Sequence, residues 1–282
     1  MKIIVTGDKG FIGSRVKKVL SENHEVYGLC RTDADISDYM AVEKYMKSIA
    51  PDVVVHCAAL GNVDKSEEDN ELAYRVNVIG TANVATCCAN LGVAMISSSS
   101  DQVYDYIPGG IFHEYMDTLP NNYYGFTKVE GEKLVKQIVP KHHILRLGWQ
   151  YDRFLDGDEY TSHGIMKAVA DALNDNEPIN CTSRSYQNVT YIYDTVDAIV
   201  AMVEGKLPYG IYNITSENPM NLYDTFVYIM DKMGVPKEQI NKLVIENKEF
   251  KAKDLRADPF NLKMAGYIMP SFVEGLGKCL EL

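Results

Sequence analysis

The sequence lacks the long apolar run that a membrane-spanning segment needs. A spanning helix requires about 20 consecutive apolar residues, whereas the apolar runs among these 282 residues are short, as at Val53–Val55. The first residues reach a turn glycine, Gly7, too soon to form the apolar core of a secretory signal. We therefore expect a cytoplasmic protein that has no membrane partner.

Paired residues that would bind a metal or form a disulfide are also missing. The six cysteines include no C-x-x-C pair, and the six histidines include no H-x-x-x-H pair. Several cysteines lie in apolar runs, where a thiol behaves as a small apolar side chain. These spacings predict a reducing compartment, no structural disulfide and no metal site.

Basic residues are too few for an anionic macromolecular partner. The chain has 28 Lys and Arg against 39 Asp and Glu, a formal net charge of -11, and it contains no basic run. Such a charge repels nucleic-acid backbones and anionic membrane surfaces, so we expect neither as a partner. With 46% hydrophobic and 24% charged residues, the composition is that of an ordinary globular protein.

The first half of the sequence alternates between β-branched runs and segments in which apolar residues have helical spacing. This alternation predicts an α/β fold with a Rossmann-like, doubly wound parallel sheet. A continuous apolar run such as Asp52–Cys57 is typical of a strand that is buried on both faces. The predicted strands are Lys2–Thr6, Glu25–Cys30, Asp52–Cys57, Val93–Ser98 and His142–Leu147, and the predicted helices are Phe11–Glu22, Asp38–Ile49, 69–91 and Asn122–Val139.

The alternation ends after Trp149, where residues 150–162, with Gly157, have the composition of a loop. No linker rich in Gly, Ser or Pro follows, which favours a smaller substrate-binding cap over an independent domain. We expect a dinucleotide-binding domain at 1–150, to which 190–214 returns, and a cap formed by 151–189 and 215–282. The predicted elements of this half are helices at Ser162–Leu173, Asp194–Glu204, Leu222–Met233 and Ser271–Leu280, and strands at Ile179–Cys181 and Gly210–Ile214.

A glycine-rich segment, Thr6–Gly13, joins the first predicted strand to the first predicted helix. Gly7 permits a tight turn, Gly10 lets the backbone approach a pyrophosphate, and Gly13 lets the helix pack closely on the strand. Free N–H groups at the helix N-terminus favour phosphate binding. Turn glycines without a ligand are the alternative. The candidate cofactor-binding residues here are Gly7, Lys9, Gly10, Phe11, Ile12 and Gly13.

The end of the second strand predicts which dinucleotide binds. Folds that bind NAD usually carry an acidic residue there, which contacts the ribose 2′-hydroxyl, but here Cys30 is followed by Arg31. A guanidinium suits a 2′-phosphate, so we expect NADP(H) to be preferred, with NAD(H) as the second option. A solvent-facing Arg31 is the alternative. Asp35 and Ile36 lie where the chain would pass the adenine.

Tyr124 and Lys128 are four residues apart in a predicted helix and therefore share one face. A free phenol has a pKa near 10, about three units too high for proton transfer at neutral pH. An ammonium about 4 Å away, at an effective dielectric constant of ~20, would lower that pKa by about this amount. Ser97–Ser100 and Asp101 follow the fourth strand, where ligands bind in such folds. A chance Tyr–Lys match among 19 tyrosines and a simple turn at the serines are the alternatives.

Taken together, these residues resemble those of the extended short-chain dehydrogenase/reductase family. The resemblance rests on the Gly7–Gly13 loop, the run Cys57, Ala58 and Ala59, Asn77 with Gly80 and Thr81, Ser100, and Tyr124 with Lys128. It implies that the serine orients a carbonyl, the tyrosine donates a proton, and the asparagine supports a proton-relay water. It also implies that Lys128 binds the nicotinamide ribose and lowers the tyrosine pKa, and that Cys57, Ala58 and Ala59 contact the cofactor.

Within that family the chain is similar to sugar-nucleotide reductases of the dTDP-4-dehydrorhamnose reductase type, on the stretches His56–Ala59, Val63–Glu67, Ala73–Asn77 and Ile144–Leu147. Gln102 and Gly148 depart from the usual pattern, as does the segment 182–190. The similarity implies NAD(P)H-dependent reduction of a 4-keto sugar nucleotide, in a chain that could form a homodimer. The candidate substrate-binding residues are Asp101, also a catalytic candidate, and Trp149 for the sugar, and Arg184, Arg256 and Lys65 for the diphosphate. The alternatives are a turn cap for Asp101, a core filler for Trp149 and a solvated surface charge for each cation.

Other functions of the same family fit these residues less well. Sugar-nucleotide dehydratases carry a glutamate base where this chain has Gln102, which cannot accept a proton. Epimerases usually have small neutral residues after the serine, and Asp101 argues against them. A non-catalytic regulatory subunit that senses NADP(H) would have no need of Ser100, Tyr124 and Lys128 together. Reduction requires only hydride transfer and one proton donor, so it is the function that we expect.

Overall fold

The computed structural model describes residues 1–106, 109–153 and 164–281. No helix within these ranges is both long enough and apolar enough to cross a membrane. The strands there are β1 (Lys2–Thr6), β2 (Glu25–Leu29), β3 (Val53–His56), β4 (Ala94–Ser100), β5 (His142–Leu147), β6 (Trp149–Tyr151), β7 (Ile179–Cys181), β8 (Ser185–Tyr186), β9 (Val189–Tyr191), β10 (Gly210–Ile214), β11 (Val244–Glu246) and β12 (Lys253–Asp254). The helices are α1 (Phe11–Leu20), α2 (Tyr39–Ile49), α3 (Val63–Glu68), α4 (Asn70–Tyr74), α5 (Thr81–Leu91), α6 (Tyr123–Ile138), α7 (Ile165–Asp175), α8 (Ile192–Val203), α9 (Leu222–Lys232), α10 (Lys237–Leu243), α11 (Phe260–Met264) and α12 (Phe272–Leu280), with a π-helix at Arg75–Gly80 and a 3-10 turn at Asp101–Tyr104.

Six of these strands form one parallel sheet in the order β10-β5-β4-β3-β1-β2. Ile4 of β1 lies opposite Tyr27 of β2 on one side and opposite Val54 of β3 on the other. The strand order therefore reverses between β1 and β3, and such a reversal opens a crevice at the carboxyl ends of the strands. The expected doubly wound parallel sheet is confirmed.

Helices cover both faces of the sheet because its central strands are apolar at successive positions. Ile3 and Val5 of β1 belong to a buried cluster with α1 and α8, whereas Ile4 belongs to a cluster with α2 and α5. Successive side chains of a strand point to opposite faces, so a continuous apolar run requires cover on both. The polar groups of the candidate site therefore lie at the carboxyl ends of the strands, as Ser100 does at the end of β4.

A separate apolar cluster lies outside the large sheet. It is formed by α7, α9, α10 and α12 around Tyr151, Val189 and Phe272. Short parallel pairs, β6 with β9, β7 with β11 and β8 with β12, accompany these helices. β10, in contrast, pairs with β5 at the edge of the large sheet. These contacts fit the expected cap and returning segment, and the division of the chain at residue 150 stays a prediction.

Several predicted elements differ from the observed ones. The helix expected over 69–91 is interrupted, because α4 ends at Tyr74 and the π-helix precedes α5. The loop expected at 150–162 starts as β6, and its part from 154 onward, with Gly157, lies outside the described residues. Ser162, the expected start of α7, also lies outside them, and α7 begins at Ile165. The elements that were not predicted are too short to show a period in the sequence: α3, α10, α11, β8, β9, β11 and β12.

Candidate active site

The carboxyl ends of β1, β3, β4 and β5 border a cleft with two adjoining parts. The part that we call the catalytic half has a volume of about 600 Å³ and is bordered by Ser100, Tyr124 and Lys128. The nucleotide half has a volume of about 490 Å³ and lies beside the end of β2. The residues that border both halves are Gly7, Lys9, Gly10, Cys57 and Ala59.

The glycine-rich loop has the shape of a phosphate cradle. Gly7 has a φ of +66°, and a Cβ there would lie 2.8 Å from the backbone of Ala58. A Cβ on Gly13 would lie 2.2 Å from the Gly7 carbonyl oxygen, so helix α1 can pack this closely only with glycine. No side chain caps α1 at Gly10, which leaves its first N–H groups free to bind an anion. The loop therefore fits a dinucleotide pyrophosphate.

The nucleotide half combines expected and unexpected residues. Arg31, Asp35, Ile36 and Ala58, all expected from the sequence, border it. Arg75 borders it as well, and this residue was missed because the π-helix that carries it follows β3 by many residues. The pKa of Asp35 is lowered, first by hydrogen bonds from Ser37 and then by the charges of Arg31 and Arg75. Two guanidiniums thus flank the place where a 2′-phosphate is expected.

Two hydrogen bonds fix the start of helix α6, where Tyr124 lies in the first turn. The Asn122 side chain caps the helix by accepting from the Gly125 N–H at 2.7 Å. Glu67 accepts from the Tyr123 N–H at 2.6 Å. Glu67 closes the stretch Val63–Glu67 that the sequence analysis singled out, and this contact gives that stretch a structural role beside the candidate proton donor.

The pKa of Tyr124 is raised to about 12, not lowered as the sequence analysis expected. Burial of the phenol is the main cause, the charge of Asp101 adds to it, and a hydrogen bond with Ser100 opposes it. The Lys128 Nζ lies 5.9 Å from the centre of the Tyr124 ring. Burial also lowers the pKa of Lys128 to about 8. Both groups are therefore protonated at neutral pH.

Asp101 points one carboxylate oxygen into a buried position without a partner. Its Oδ2 has no hydrogen-bond partner among the described residues, while Oδ1 lies 3.4 Å from the Ser100 hydroxyl and 3.4 Å from the Gln102 amide nitrogen. Burial raises the pKa of Asp101 to about 7. Since the residue also borders the catalytic half, a bound hydroxyl would complete its hydrogen bonding.

Asn77 lies behind Lys128 and does not border either half of the cleft. Its side chain accepts from the Leu60 N–H at 2.8 Å and donates to the Leu60 carbonyl at 3.1 Å and to Thr127 at 3.0 Å. It therefore holds the segment after β3 against α6. A small cavity beneath the cleft is bordered by both Asn77 and Lys128, and a role for Asn77 toward a relay water stays a prediction.

The structure does not bring Arg184 and Arg256 to the cleft, and Lys65 does not border it either. Arg184 donates to the backbone carbonyls of Lys248 and Phe250. Arg256 is paired with Asp254 at 2.6 Å. Both guanidiniums are thus bound to neighbouring groups of the C-terminal part. The positions of positive charges in the sequence do not show which partners these side chains have.

Trp149 of β6 and Lys253 of β12 lie near the catalytic groups, Trp149 at the border of the cleft and Lys253 behind the 3-10 turn. Trp149, expected from the sequence, borders the catalytic half and is 38% exposed. The Lys253 Nζ lies 2.8 Å from Asp105 and 3.4 Å from the Gln102 side-chain oxygen. No sequence pattern marks Lys253, because it is a single lysine in a two-residue strand.

Comparisons with known proteins agree with this geometry. A family model described as the RmlD substrate binding domain matches residues 1–267. A dTDP-4-dehydrorhamnose reductase of Mycolicibacterium smegmatis is 29% identical over 85% of this chain and 71% of its own length. The crystal structure of a dTDP-4-dehydrorhamnose reductase from Bacillus anthracis in complex with NADP has a TM-score of 0.88 and 25% identity, covering 99% of this chain and 98% of that one. Methionine adenosyltransferase 2 subunit beta of Xenopus laevis is 28% identical over 87% of this chain and 76% of its own.

Proposed function

The chain belongs to the RmlD substrate binding domain family, and from this premise we propose that it catalyses the NADP-dependent reduction of a 4-keto sugar nucleotide similar to dTDP-4-dehydrorhamnose. The observation that supports this most strongly is that Ser100, Tyr124 and Lys128 border one cleft together with the glycine-rich loop. Membership in this family also confirms the resemblance to extended short-chain dehydrogenases/reductases.

The residues that would hold the cofactor suit NADP(H). The N–H groups at the start of α1 would bind the pyrophosphate, and Arg31 and Arg75 would bind a 2′-phosphate. The NADP complex of the Bacillus anthracis relative supports this assignment. When bound, NADPH supplies the hydride that reduction of a carbonyl requires.

Tyr124 would donate the proton that the reduced oxygen receives. Its raised pKa keeps the phenol protonated at neutral pH, which is the state that a donor needs. The Ser100 hydroxyl, which is hydrogen-bonded with the phenol, would hold the substrate carbonyl beside it. The charge of Lys128 would favour the phenolate that forms when the proton leaves.

The sugar would be bound by groups on both sides of the catalytic half. The free Oδ2 of Asp101 would accept a hydrogen bond from a sugar hydroxyl. Trp149 of β6 would form one wall of the catalytic half. Gln102 stands where dehydratases have a base, and its oxygen accepts from Asn122 at 3.0 Å. This amide supports reduction over dehydration, since it cannot accept a proton.

Oxidation of NADPH in the presence of 4-keto sugar nucleotides tests the proposal directly. We expect turnover with a dTDP-4-keto-6-deoxyhexose and weaker turnover with its UDP and GDP counterparts, followed by absorbance and by mass spectrometry of the alcohol product. Absence of turnover with the whole panel would contradict the proposal.

A regulatory function is the second candidate, because the relative from Xenopus laevis is named as the subunit of another enzyme. Tight NADPH binding without turnover on any sugar of the panel would favour it. Quenching of Trp149, the only tryptophan, would report binding in either case, since this residue borders the cleft.

A further inference from the structure

A buried ion pair lies directly beneath the catalytic groups. Arg146 of β5 holds Glu132 of α6 with two parallel hydrogen bonds, of 2.9 Å and 2.7 Å. The two side chains are each only 3% exposed. The sequence analysis noted Ile144–Leu147 only as a family feature, and the proposed function assigns this pair no role.

The pair is connected to the segments that carry Ser100, Asp101 and Lys128. Ser99, the neighbour of Ser100 on β4, donates to the Glu132 carboxylate at 2.6 Å. Arg146 donates to the Tyr104 hydroxyl at 2.6 Å, and Tyr104 ends the 3-10 turn that begins at Asp101. Glu132 itself follows Lys128 by four residues and therefore lies one turn away on the same face of α6.

The contacts continue from Tyr104 to β10, the edge strand beside β5. Tyr104 donates to the Asn213 side chain of β10 at 3.0 Å. Asn213 donates in turn to the carbonyls of Phe112 and Asp258, each at 3.0 Å. One chain of hydrogen bonds thus joins β4, α6, β5, the 3-10 turn and β10 under the floor of the cleft.

Stability alone is a weak reason for such a pair. Moving two charges out of water is unfavourable, and apolar residues of similar volume often stabilise a protein equally well or better. A guanidinium that forms two parallel hydrogen bonds with one carboxylate fixes both the distance between the two side chains and their relative orientation. Apolar contacts do not fix the orientation in this way. Proton donors and carbonyl-binding groups require support of this kind, because small displacements reduce rates strongly.

We infer that the Glu132–Arg146 pair positions the catalytic groups, holding Ser100, the Asp101 turn and the Lys128 turn of α6 in one fixed arrangement; this inference rests on the proposed reductase function. Neither residue touches the substrate or the cofactor in this role. Both are positioning residues that act through Ser99, Tyr104 and the backbone of α6.

Glu132 also affects the charge on Lys128. Its carboxylate is the main factor that raises the pKa of Lys128 against the effect of burial. The other titratable or charged groups near this lysine are Tyr124 on α6, His56 and Cys57 at the end of β3, Asp101 in the 3-10 turn and Arg146 behind Glu132. In a variant without Glu132, Lys128 should therefore lose its proton at a lower pH.

The test replaces the whole pair, so that neither Glu132 nor Arg146 is left buried without its partner. We expect the double variant Glu132→Leu/Arg146→Met to keep NADPH affinity, read from Trp149 quenching, within about twofold while kcat falls about tenfold to a hundredfold. The basic limb of the kcat profile should move to lower pH. The single variant Tyr104→Phe, which only removes a hydroxyl, should lower kcat in the same direction by a smaller factor.

Hydrogen exchange provides a readout that does not depend on turnover. We expect faster exchange at the amides of 99–104 and 123–132 in the double variant, with no change in α12. The matched control is Asp194→Asn/Lys278→Met, which removes a pair of 2.6 Å between α8 and α12 and should leave kcat unchanged.

Each outcome has a distinct meaning. Unchanged kcat, pH profile and local exchange in the double variant, even with a lower melting temperature, would overturn the inference and leave the pair a purely structural feature. If the unmodified protein turns over no sugar nucleotide, the proposed function fails. Hydrogen exchange in the 99–104 and 123–132 segments then decides the positioning role on its own.

Discussion

Tyr124 is the single residue whose loss should affect the proposed chemistry most. Replacing it with phenylalanine removes the phenolic proton that the reduced oxygen would receive. We therefore expect kcat to fall by about 10² to 10⁴. The affinity for NADPH, measured by quenching of Trp149, should not change, because the ring remains. Tyr123→Phe is the matched control: it removes a hydroxyl one residue away, outside the residues that border the cleft. Equal loss in both variants would contradict the role assigned to Tyr124.

Asp101 should make the stability of the protein depend on pH. Its folded-state pKa of about 7 lies above the ordinary value of 3.8, so the folded state binds the proton more tightly. Its contribution is complete at low pH and is lost as the pH rises from about 4 to 7, by about 4 kcal/mol in total. Asp101→Asn should therefore be more stable than the unmodified protein at pH 8 and should lose this advantage at pH 4.

Thermal unfolding of both proteins across that range measures the difference. Asp117→Asn, at an exposed carboxyl group, serves as the control and should show no comparable change. Parallel curves for Asp101→Asn and the unmodified protein would show that Asp101 titrates normally.

Arg75 should contribute to cofactor choice together with Arg31. Loss of one charged hydrogen bond to a 2′-phosphate weakens binding by about 2 kcal/mol, or about 30-fold. Arg75→Met and Arg31→Met should each weaken NADPH binding by about this factor and leave NADH binding nearly unchanged. Titrations of both cofactors, with Arg184→Met in the cap as the control, measure the ratio. If Arg75→Met weakens both cofactors equally, Arg75 does not contact the 2′-phosphate.

At the scale of secondary-structure elements, the sequence predicted those parts whose pattern is long enough to repeat. β1 and β3 could be predicted because an apolar run extends over each whole strand. α1 could be predicted because its apolar residues keep a helical period and the glycine-rich loop precedes it. The pair β6 and β9 could not, since three-residue strands form only when distant segments meet. The π-helix was missed for another reason. Its apolar residues continue the helical spacing of α4 before it and of α5 after it, so the sequence shows no break.

The same distinction holds for the candidate site. The glycine-rich loop, Ser100, Tyr124 and Lys128 lie at the ends of elements whose order was predictable, so their convergence followed from the fold class. Arg75 borders the nucleotide half, and Lys253 contacts Asp105 and Gln102, because segments far apart in the chain meet there. The direction of the Tyr124 pKa shift depends on burial of the phenol and on its contacts with Ser100 and Asp101, and a spacing of four residues gives none of these.

Helix α6 offers an element-scale prediction through Glu67. Glu67→Gln keeps the size of the side chain but removes the charge that faces the helix N-terminus, where anions are favoured by about 0.3–1 kcal/mol. Because this contact lies at Tyr123, we expect kcat to fall while NADPH affinity holds. Glu68→Gln, one residue along and without this contact, is the control. Loss of stability without loss of kcat would show that Glu67 supports the helix and not the position of Tyr124.

At the scale of the whole molecule, the cleft joins the large sheet to the cap. Its catalytic half is bordered by Gly13 and Ser100 on the sheet side and by Gly164, just before α7, on the side of the cap. A cofactor bound in the cradle would therefore touch the sheet and lie next to the cap. One apolar cluster lies at the large sheet and another lies outside it. A ligand that contacts both sides of the cleft would therefore stabilise the two clusters together.

This coupling predicts how the cofactor changes thermal stability. A ligand that binds only the folded state at about 100 times its Kd stabilises it by about 2.7 kcal/mol, which raises the melting temperature by several degrees. Gly13→Ala should abolish this shift, because its Cβ would lie 2.2 Å from the Gly7 carbonyl oxygen and displace the cradle. Gly277→Ala is the matched control, since a Cβ there meets no atom within 4 Å. It should retain the full shift with NADPH, and both variants are compared with the unmodified protein by scanning calorimetry. Retention of the shift in Gly13→Ala would show that the pyrophosphate does not bind at the glycine-rich loop.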